Sequence, residues 1–304
     1  MSTTFLSRIP FVLCLVFFSC TPSADKMFTL MPSSVTGINF KNPLKETEQF
    51  NVLNYGYLYN GGGVSIGDIN NDGLPDIYFT GNMVGSRLYI NQGNFNFTEI
   101  AEQAGVFAAG YWNTGTTMAD INADGLIDIY VCRSAAKNPD SRKNLLFINN
   151  GDMTFTEMGK QYGVDDSGYT TQAAFFDYDR DGDLDLYILN HSTQEYAGLG
   201  KISRHHKKQK NKSYSDKLMR NDNGKFVDVS DQAGLISNIL GFGLGVAISD
   251  LNNDGWLDMY ISNDYNEQDY LYLNNGDGTF SERLEDYIGH ISLYSMGSDI
   301  ADIN

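Results

Sequence analysis

The sequence predicts an all-β protein: a β-propeller with four complete repeats of about 50 residues and the start of a fifth, which we expect to form an incomplete ring. Acidic loops such as "DINNDGLPD" begin at residues 68, 120, 177 and 250, and a fifth begins at Asp302. Each complete loop is followed by an apolar run, an Asn/Gly turn and a Phe, as in "LYINQGNFNFTEI", a pattern typical of a β-hairpin. The chain also has 31 Gly, 19 Tyr and 18 Phe but only six Pro, which favours many strands joined by tight turns.

The spacing of these landmarks separates a constant unit from one variable connection. From each hairpin Asn to the next acidic Asp the distances are 29, 28, 29 and 28 residues, measured from positions 91, 149, 221 and 274. From acidic Asp to hairpin Asn they are 23, 29, 44 and 24 residues. A constant unit of several short strands is the signature of a propeller blade, and the variable part is a loop.

The segments around each acidic loop predict the strands and turns of a blade. The loops are followed by "DIYF", "DIYV", "DLYI" or "DMYI" and preceded by runs of small residues such as "GGGVSIG". We expect small residues where sheets crowd together around an axis. Gly105, Gly163 and Gly234 follow the hairpins and predict turns into the next blade, and "FTEIAEQAG" predicts one short helical turn.

The acidic loops carry oxygen atoms at positions 1, 3, 5 and 9, counted from the first Asp, and Gly at position 6. Several carboxylates with a Gly for the sharp turn match Ca²⁺ chemistry, and position 7 would add a backbone carbonyl. The predicted calcium ligands are Asp68, Asn70, Asp72, Leu74 and Asp76; Asp120, Asn122, Asp124, Leu126 and Asp128; Asp177, Asp179, Asp181, Asp183 and Asp185; Asp250, Asn252, Asp254, Trp256 and Asp258; and, in the fifth loop, Asp302 and Asn304.

The acidic loops have two other possible interpretations, an EF-hand and metal-free turns. An EF-hand needs a Glu at position 12, but this position is Phe79, Val131, Ile188 or Ile261, so the sequence excludes it. The second alternative is a set of Asx-rich turns without metal. Four complete copies favour the metal, and about one Ca²⁺ per complete repeat would change the formal net charge from −17 to −9. The negative charge also argues against nucleic acid as a partner.

These loops within a fifty-residue β repeat resemble the FG-GAP/VCBS repeats of integrin-α-like propellers. The phrases "YNGGGVSIGDINNDGLPDIYFTGN" and "AAFFDYDRDGDLDLYILNHS" resemble the bacterial branch related to cartilage acidic protein, which is associated with ASPIC/UnbV modules. The resemblance covers about residues 28–304 and implies a propeller with calcium at positions 1, 3, 5, 7 and 9. Because the repeats are too few to close such a ring, we expect an N-terminal fragment of a longer protein.

The N-terminus predicts export. Residues 1–19 contain Arg8 and an apolar run over 11–18, as in a signal peptide, and Ser19-Cys20 resembles a bacterial lipobox in which Cys20 becomes the lipidated first residue. Ordinary signal cleavage is the alternative. Residues 20–50 would be a tether or an N-terminal closing strand, and residues 51–304 the repeats. Cys132, the one cysteine of the body, is expected to be a buried apolar side chain.

The leading functional prediction is a calcium-stabilised, non-enzymatic binding module, lipid-anchored at the bacterial cell envelope or surface and contacting an extracellular protein or glycan. The alternative is a propeller enzyme acting on polysaccharide, of the lyase or quinone-dependent dehydrogenase type; a structural spacer is the third. His191 is expected to be a satisfied loop residue. The basic insert 201–212 is expected to be solvated or to grip an anionic glycan. Aromatic residues that could floor a carbohydrate groove are Tyr57, Tyr59, Tyr111, Trp112, Tyr169 and Phe242.

Overall fold

Sixteen strands form four antiparallel sheets of four strands each in the part of the chain that the computed structural model describes, residues 27–193, 208–236, 238–265 and 267–302. Within every sheet the strands lie side by side in sequence order. The strands are β1 (Val64–Gly67), β2 (Asp76–Phe79), β3 (Arg87–Asn91) and β4 (Phe97–Glu99); β5 (Asn113–Ala119), β6 (Asp128–Arg133), β7 (Leu145–Asn149) and β8 (Phe155–Glu157); β9 (Thr170–Phe176), β10 (Asp185–Asn190), β11 (Lys217–Asn221) and β12 (Phe226–Asp228); and β13 (Gly243–Ser249), β14 (Asp258–Asn263), β15 (Tyr270–Asn274) and β16 (Phe280–Glu282). The predicted all-β fold with four complete repeats is confirmed, and each complete repeat forms one four-stranded sheet.

Each acidic loop connects the first two strands of its sheet. In the first sheet Gly67 pairs with Asp76 and Val64 pairs with Phe79, so residues 68–75 lie at one end of the strands. The residues before β1 and after β2 therefore lie at the other end. The position-12 residues that argued against an EF-hand all lie in second strands, which confirms that exclusion.

The first strands of successive sheets lie next to one another. The backbone N–H of Gly63 donates to the carbonyl of Thr114 over 2.8 Å, and the hydroxyl of Thr114 donates to the carbonyl of Thr170 over 2.7 Å. Small residues permit this approach: a Cβ built on Gly115 would lie 2.5 Å from the carbonyl oxygen of Thr171 and 1.9 Å from Oε1 of Gln172. The predicted crowding of small residues is confirmed.

The hydrophobic cores lie between neighbouring sheets. Ile90 of the first sheet packs in one cluster with Ile129 and Phe147 of the second. Similar clusters join the second sheet to the third and the third to the fourth. In the first two sheets the Tyr of the "DIY" strand bonds to the segment that leads to the next sheet: the hydroxyl of Tyr78 donates over 2.7 Å to the carbonyl of Val106, and that of Tyr130 donates over 2.8 Å to the carbonyl of Val164. Each sheet therefore depends on its neighbour for apolar burial.

Short helical turns follow the outer strands, as predicted for "FTEIAEQAG". They are α2 (Ala101–Ala104), α3 (Gly159–Tyr162) and α4 (Leu284–Tyr287), and a 3-10 helix spans Pro139–Arg142. Gly105 ends α2 with φ of 79°, a left-handed conformation that favours glycine. A similar turn, α1 (Ser33–Thr36), ends at Gly37 with φ of 75° before the first sheet. Residues 27–32 belong to a separate unit from Ser33–Asn304.

Candidate functional site

Three of the four complete acidic loops have the same internal hydrogen bonds. In the first loop the carboxylate of Asp68 accepts from the backbone N–H groups of Asp72 (3.1 Å) and Gly73 (2.7 Å), while Asp72 accepts from Leu74 (2.8 Å). The second and fourth loops repeat these contacts with distances of 2.8–3.1 Å. In these three loops, backbone N–H groups of the loop itself therefore fix the carboxylates of positions 1 and 5.

The position-9 Asp fastens each loop to its sheet. Asp76 accepts one hydrogen bond from the backbone N–H of Ile69 (3.0 Å) and another from Asn91 (2.8 Å), at the end of β3. The corresponding Asp128, Asp185 and Asp258 make the same pair of bonds, and all four side chains are fully buried. The hairpin Asn that served as a spacing landmark is thus part of the site, and its constant distance to the next loop was the signal for this role.

The third loop differs because it carries five Asp residues. Carboxylate oxygens of Asp177, Asp179 and Asp185 lie within 4.8 Å of one another. The Oδ1 atoms of Asp177, Asp179 and Asp183 are buried and accept no hydrogen bond from any described residue. Buried carboxylate oxygens without donors are costly unless a cation lies among them. The donor set, oxygen atoms only, fits Ca²⁺.

Burial also shifts the acidity of these side chains. Desolvation raises the pKa of Asp185 to about 7 and that of Asp128 to about 6, despite two backbone hydrogen bonds to each carboxylate that act in the opposite direction. Desolvation followed by the neighbouring charge of Asp181 raises the pKa of Asp183 to about 6. Clustered carboxylates of this kind gain stability from a positive partner.

All four loops adopt one backbone conformation irrespective of the residue at position 4. Asn71, Ala123, Arg180 and Asn253 occupy this position with φ between 56° and 61°. The left-handed region suits Asn but is unfavourable for Ala and Arg. The hydrogen bonds to the acidic side chains therefore outweigh the backbone preference at Ala123 and Arg180.

A second polar cluster lies at the opposite end of the strands, called the cap end below. The second strand of each sheet begins with "DIY", "DLY" or "DMY". The seventh residue, counted from that Asp, is Asn82 in the first repeat, Ser134 in the second, His191 in the third and Asp264 in the fourth, and all four side chains are buried. Residues 42–61, called the cap segment below, contact each of them. Asn42 exchanges hydrogen bonds with Asn82, and the hydroxyl of Tyr57 donates to Asp264 over 3.2 Å.

Tyr55 of the cap segment starts a buried hydrogen-bond chain. The Nδ1 atom of His191 lies 2.8 Å from the carbonyl oxygen of Ser192 and must carry the proton there, so Nε2 accepts from the hydroxyl of Ser134 over 2.9 Å. Ser134 in turn accepts from the hydroxyl of Tyr55 over 3.2 Å. Burial lowers the pKa of His191 to about 4, so the imidazole is neutral at physiological pH. The expectation that His191 is satisfied is confirmed.

The other sequence candidates divide between buried and exposed positions. Tyr57, Trp112 and Phe242 are buried, Tyr169 is half-buried, and Tyr59 and Tyr111 are 63% and 42% exposed. Tyr57, Tyr169 and Phe242 line one cavity of about 390 Å³ at the cap end. Cys132 is buried, as predicted. Sequence reasoning missed Tyr55, Ser134 and Asp264, which only the meeting of distant segments brings together.

Some predicted features lie outside the described residues. These are Cys20 with the signal segment, residues 201–207 of the basic insert, and Asn304 of the fifth loop. Asp302 is described and belongs to no strand. Within the described ranges, no helix has the length and apolar character needed to cross a membrane.

Comparison with known proteins found relatives in vertebrates. Cartilage acidic protein 1 of Xenopus tropicalis is 28% identical to this chain over 205 residues, or 67% of this chain and 29% of that protein. The proteins of the same name from Mus musculus and Homo sapiens are 25% identical over 73% and 67% of this chain. The chain spans less than a third of the length of these relatives.

Among solved structures, a lectin of Agrocybe aegerita, described as recognising non-reducing terminal N-acetylglucosamine, is 19% identical to the chain. The structural match covers 71% of this chain and 50% of the lectin chain, and its TM-score of 0.41 is too low to support a conclusion.

The repeats themselves identify the family. The family of FG-GAP-like repeats matches residues 68–131, 134–188 and 250–304. The interval between the second and third matched segments, residues 189–249, contains β11 and β12 of the third sheet and β13 of the fourth, and both sheets have four strands. Since the matched segments cover more than half of the 304 residues, the chain belongs to the FG-GAP-like repeat family.

Proposed function

We propose that the protein is a calcium-stabilised binding module in which each complete acidic loop holds one Ca²⁺. The observation that carries this proposal is the third loop, where buried oxygens of Asp177, Asp179 and Asp183 have no hydrogen-bond donor. Bound calcium supplies the positive charge that these carboxylates need and joins the first strand of the sheet to the second. The protein's own contribution is the oxygen cage, held by the backbone N–H groups described above.

We also propose that the module is exported and lipid-anchored through Cys20 at a bacterial cell envelope, where it contacts an extracellular protein or glycan. The support for export is the sequence of residues 1–20. The support for a binding role is that the carboxylates recur in every complete repeat, as in a scaffold, whereas an active site is normally built once. The Ser134–His191 pair does not favour an enzyme, because both side chains are buried beneath Tyr55 and Ser134 is fully inaccessible. A binding role is therefore preferred to catalysis on polysaccharide.

Calcium titration of the full chain tests the metal proposal. We expect Ca²⁺ to raise the thermal midpoint over that in EGTA, since a ligand at 100 times its Kd adds about 2.7 kcal/mol per site. The variant Asp177→Asn should lose one of four binding equivalents by calorimetry, whereas Glu285→Gln, an exposed acid outside the loops, should lose none. Equal midpoints with and without calcium, together with no binding heat, would show that the loops are metal-free Asx turns.

A further inference from the structure

The cavity of about 390 Å³ at the cap end has walls from four distant parts of the chain. The cap segment contributes Tyr55 and Tyr57, the end of the second sheet contributes Lys137, and the third and fourth sheets contribute Tyr169 and Tyr265. Its volume falls within the range of about 300–1,000 Å³ that is typical of small-molecule sites. None of the predicted calcium loops borders it.

The walls combine aromatic rings with polar groups. Phe242 lies 4.8 Å from Tyr265 and 6.1 Å from Tyr57, measured between ring centroids, and Tyr169 lies 5.6 Å from His191. These contacts are tilted or edge-to-face, so the rings support one another and form a rigid wall. Sugars have both C–H faces and hydroxyl groups, and such a mixed wall suits them better than a purely apolar ligand.

The positive charges beside this cavity are unusual in a protein of formal net charge −17. Lys137 is exposed at the cavity, and no described carboxylate lies within ion-pair distance of its ammonium group. The guanidinium of Arg142 lies 3.9 Å from the centre of the Tyr169 ring, and its N–H groups donate to backbone carbonyls, those of Ser167 and Ala136 among them. Asp264, an acid at the cap end, accepts hydrogen bonds from the hydroxyl of Tyr57 and from the backbone N–H of Tyr265. Arg142 is buried and does not line the cavity, so an anionic group there would meet one cation, the ammonium group of Lys137.

We propose that this cavity binds a carboxylated sugar at the end of an acidic glycan, with the sugar ring against the Tyr169 and Tyr265 side of the wall and the carboxylate directed to Lys137. The inference deepens the proposed binding function by naming the site and the class of ligand. It requires the cap segment in place, because Tyr55 and Tyr57 form one wall of the cavity. A neutral sugar would lack the interaction with Lys137, and a bare carboxylate would lack the ring contacts.

Binding of three small probes to the full chain in calcium tests the proposal. Isothermal calorimetry or ligand-observed NMR would compare methyl glucuronide, methyl glucoside and acetate. We expect the glucuronide to bind most tightly. Lys137→Gln should weaken its binding about tenfold, the effect of one hydrogen bond to a charged group. Lys160→Gln removes an exposed lysine of α3 and should leave the affinity unchanged.

Each remaining outcome overturns the proposal. Equal binding of glucoside and glucuronide would remove the role of Lys137, and equal binding of acetate would reduce the cavity to a simple anion site. No saturable binding of the glucuronide would exclude the ligand class. The calcium titration contains no sugar, so a normal calcium response without glucuronide binding would reject this inference alone. Unchanged glucuronide affinity in Lys137→Gln would place the bound sugar elsewhere.

Discussion

Protonation of His191 should destabilise the folded protein as the pH falls. The unfolded chain has a histidine pKa of 6.5, whereas burial lowers the pKa of His191 to about 4 in the folded protein. The unfolded state therefore binds more protons below pH 6.5, and stability is lost as the pH falls from about 6.5 to about 4. Charging the imidazole would also remove the acceptor at Nε2 that Ser134 uses.

The size of this effect follows from the two pKa values. The difference of about 2.5 between the two pKa values corresponds to a total loss of about 3 kcal/mol in the free energy of unfolding. About 2 kcal/mol of this should be lost between about pH 7.5 and about pH 5. Ser134 and Tyr55 are buried with His191, and no carboxylate of the described residues is hydrogen-bonded to the imidazole to compensate its charge.

Urea unfolding of the wild type and of His191→Gln, at several pH values in constant calcium, measures this loss. Contributions from the carboxylates are common to both proteins and cancel in the difference. We expect the wild type to lose about 2 kcal/mol more than the variant over that interval. His290→Gln, at an exposed position, should behave as the wild type. If the wild type and His191→Gln lost equal stability, His191 would not be a buried neutral imidazole, and the hydrogen-bond chain to Tyr55 would be wrong.

Three further perturbations probe the acidic loops and the first strands of the sheets. Burial raises the pKa of Asp185 to about 7, so in EGTA the folded protein should lose stability as the pH rises through about 7. In calcium, protons compete with the metal for the carboxylate, so stability should be lost as the pH falls. Thermal midpoints that change with pH in the same direction in both conditions would contradict this. Ala123→Asn should raise the free energy of unfolding in urea titrations by about 0.5–1 kcal/mol, since Asn tolerates the φ of 57° better than Ala does. An unchanged or lower free energy of unfolding would mean that backbone strain at residue 123 is negligible. Gly115→Ala should lower the free energy of unfolding by about 1–3 kcal/mol, because the added Cβ would overlap the backbone of β9 at Thr171. Gly289→Ala is the control: no atom lies within 4 Å of its added Cβ, so this variant should unfold as the wild type does.

The sequence by itself determined the blades, because each blade is specified by local signals that recur. The acidic loop, the "DIY" strand, the Asn/Gly hairpin and the helical turn before Gly105 are each encoded within a few residues, and their constant spacing predicted the four sheets. The candidate ligands of each loop were also readable, since positions 1 to 9 lie in one continuous segment.

Tertiary structure decided the features that depend on contacts between distant segments. Asp185 and Asn221 are 36 residues apart, and the role of the hairpin Asn became visible only when its N–H met the carboxylate. Tyr55 and His191 are 136 residues apart, and no periodic pattern marks the cap segment because it occurs once. Local hydrogen-bonding preferences and strand periodicity specify a blade from its own residues. The cap-end cavity instead forms where the unrepeated cap segment meets residues of three separate sheets, and no local pattern encodes such a meeting.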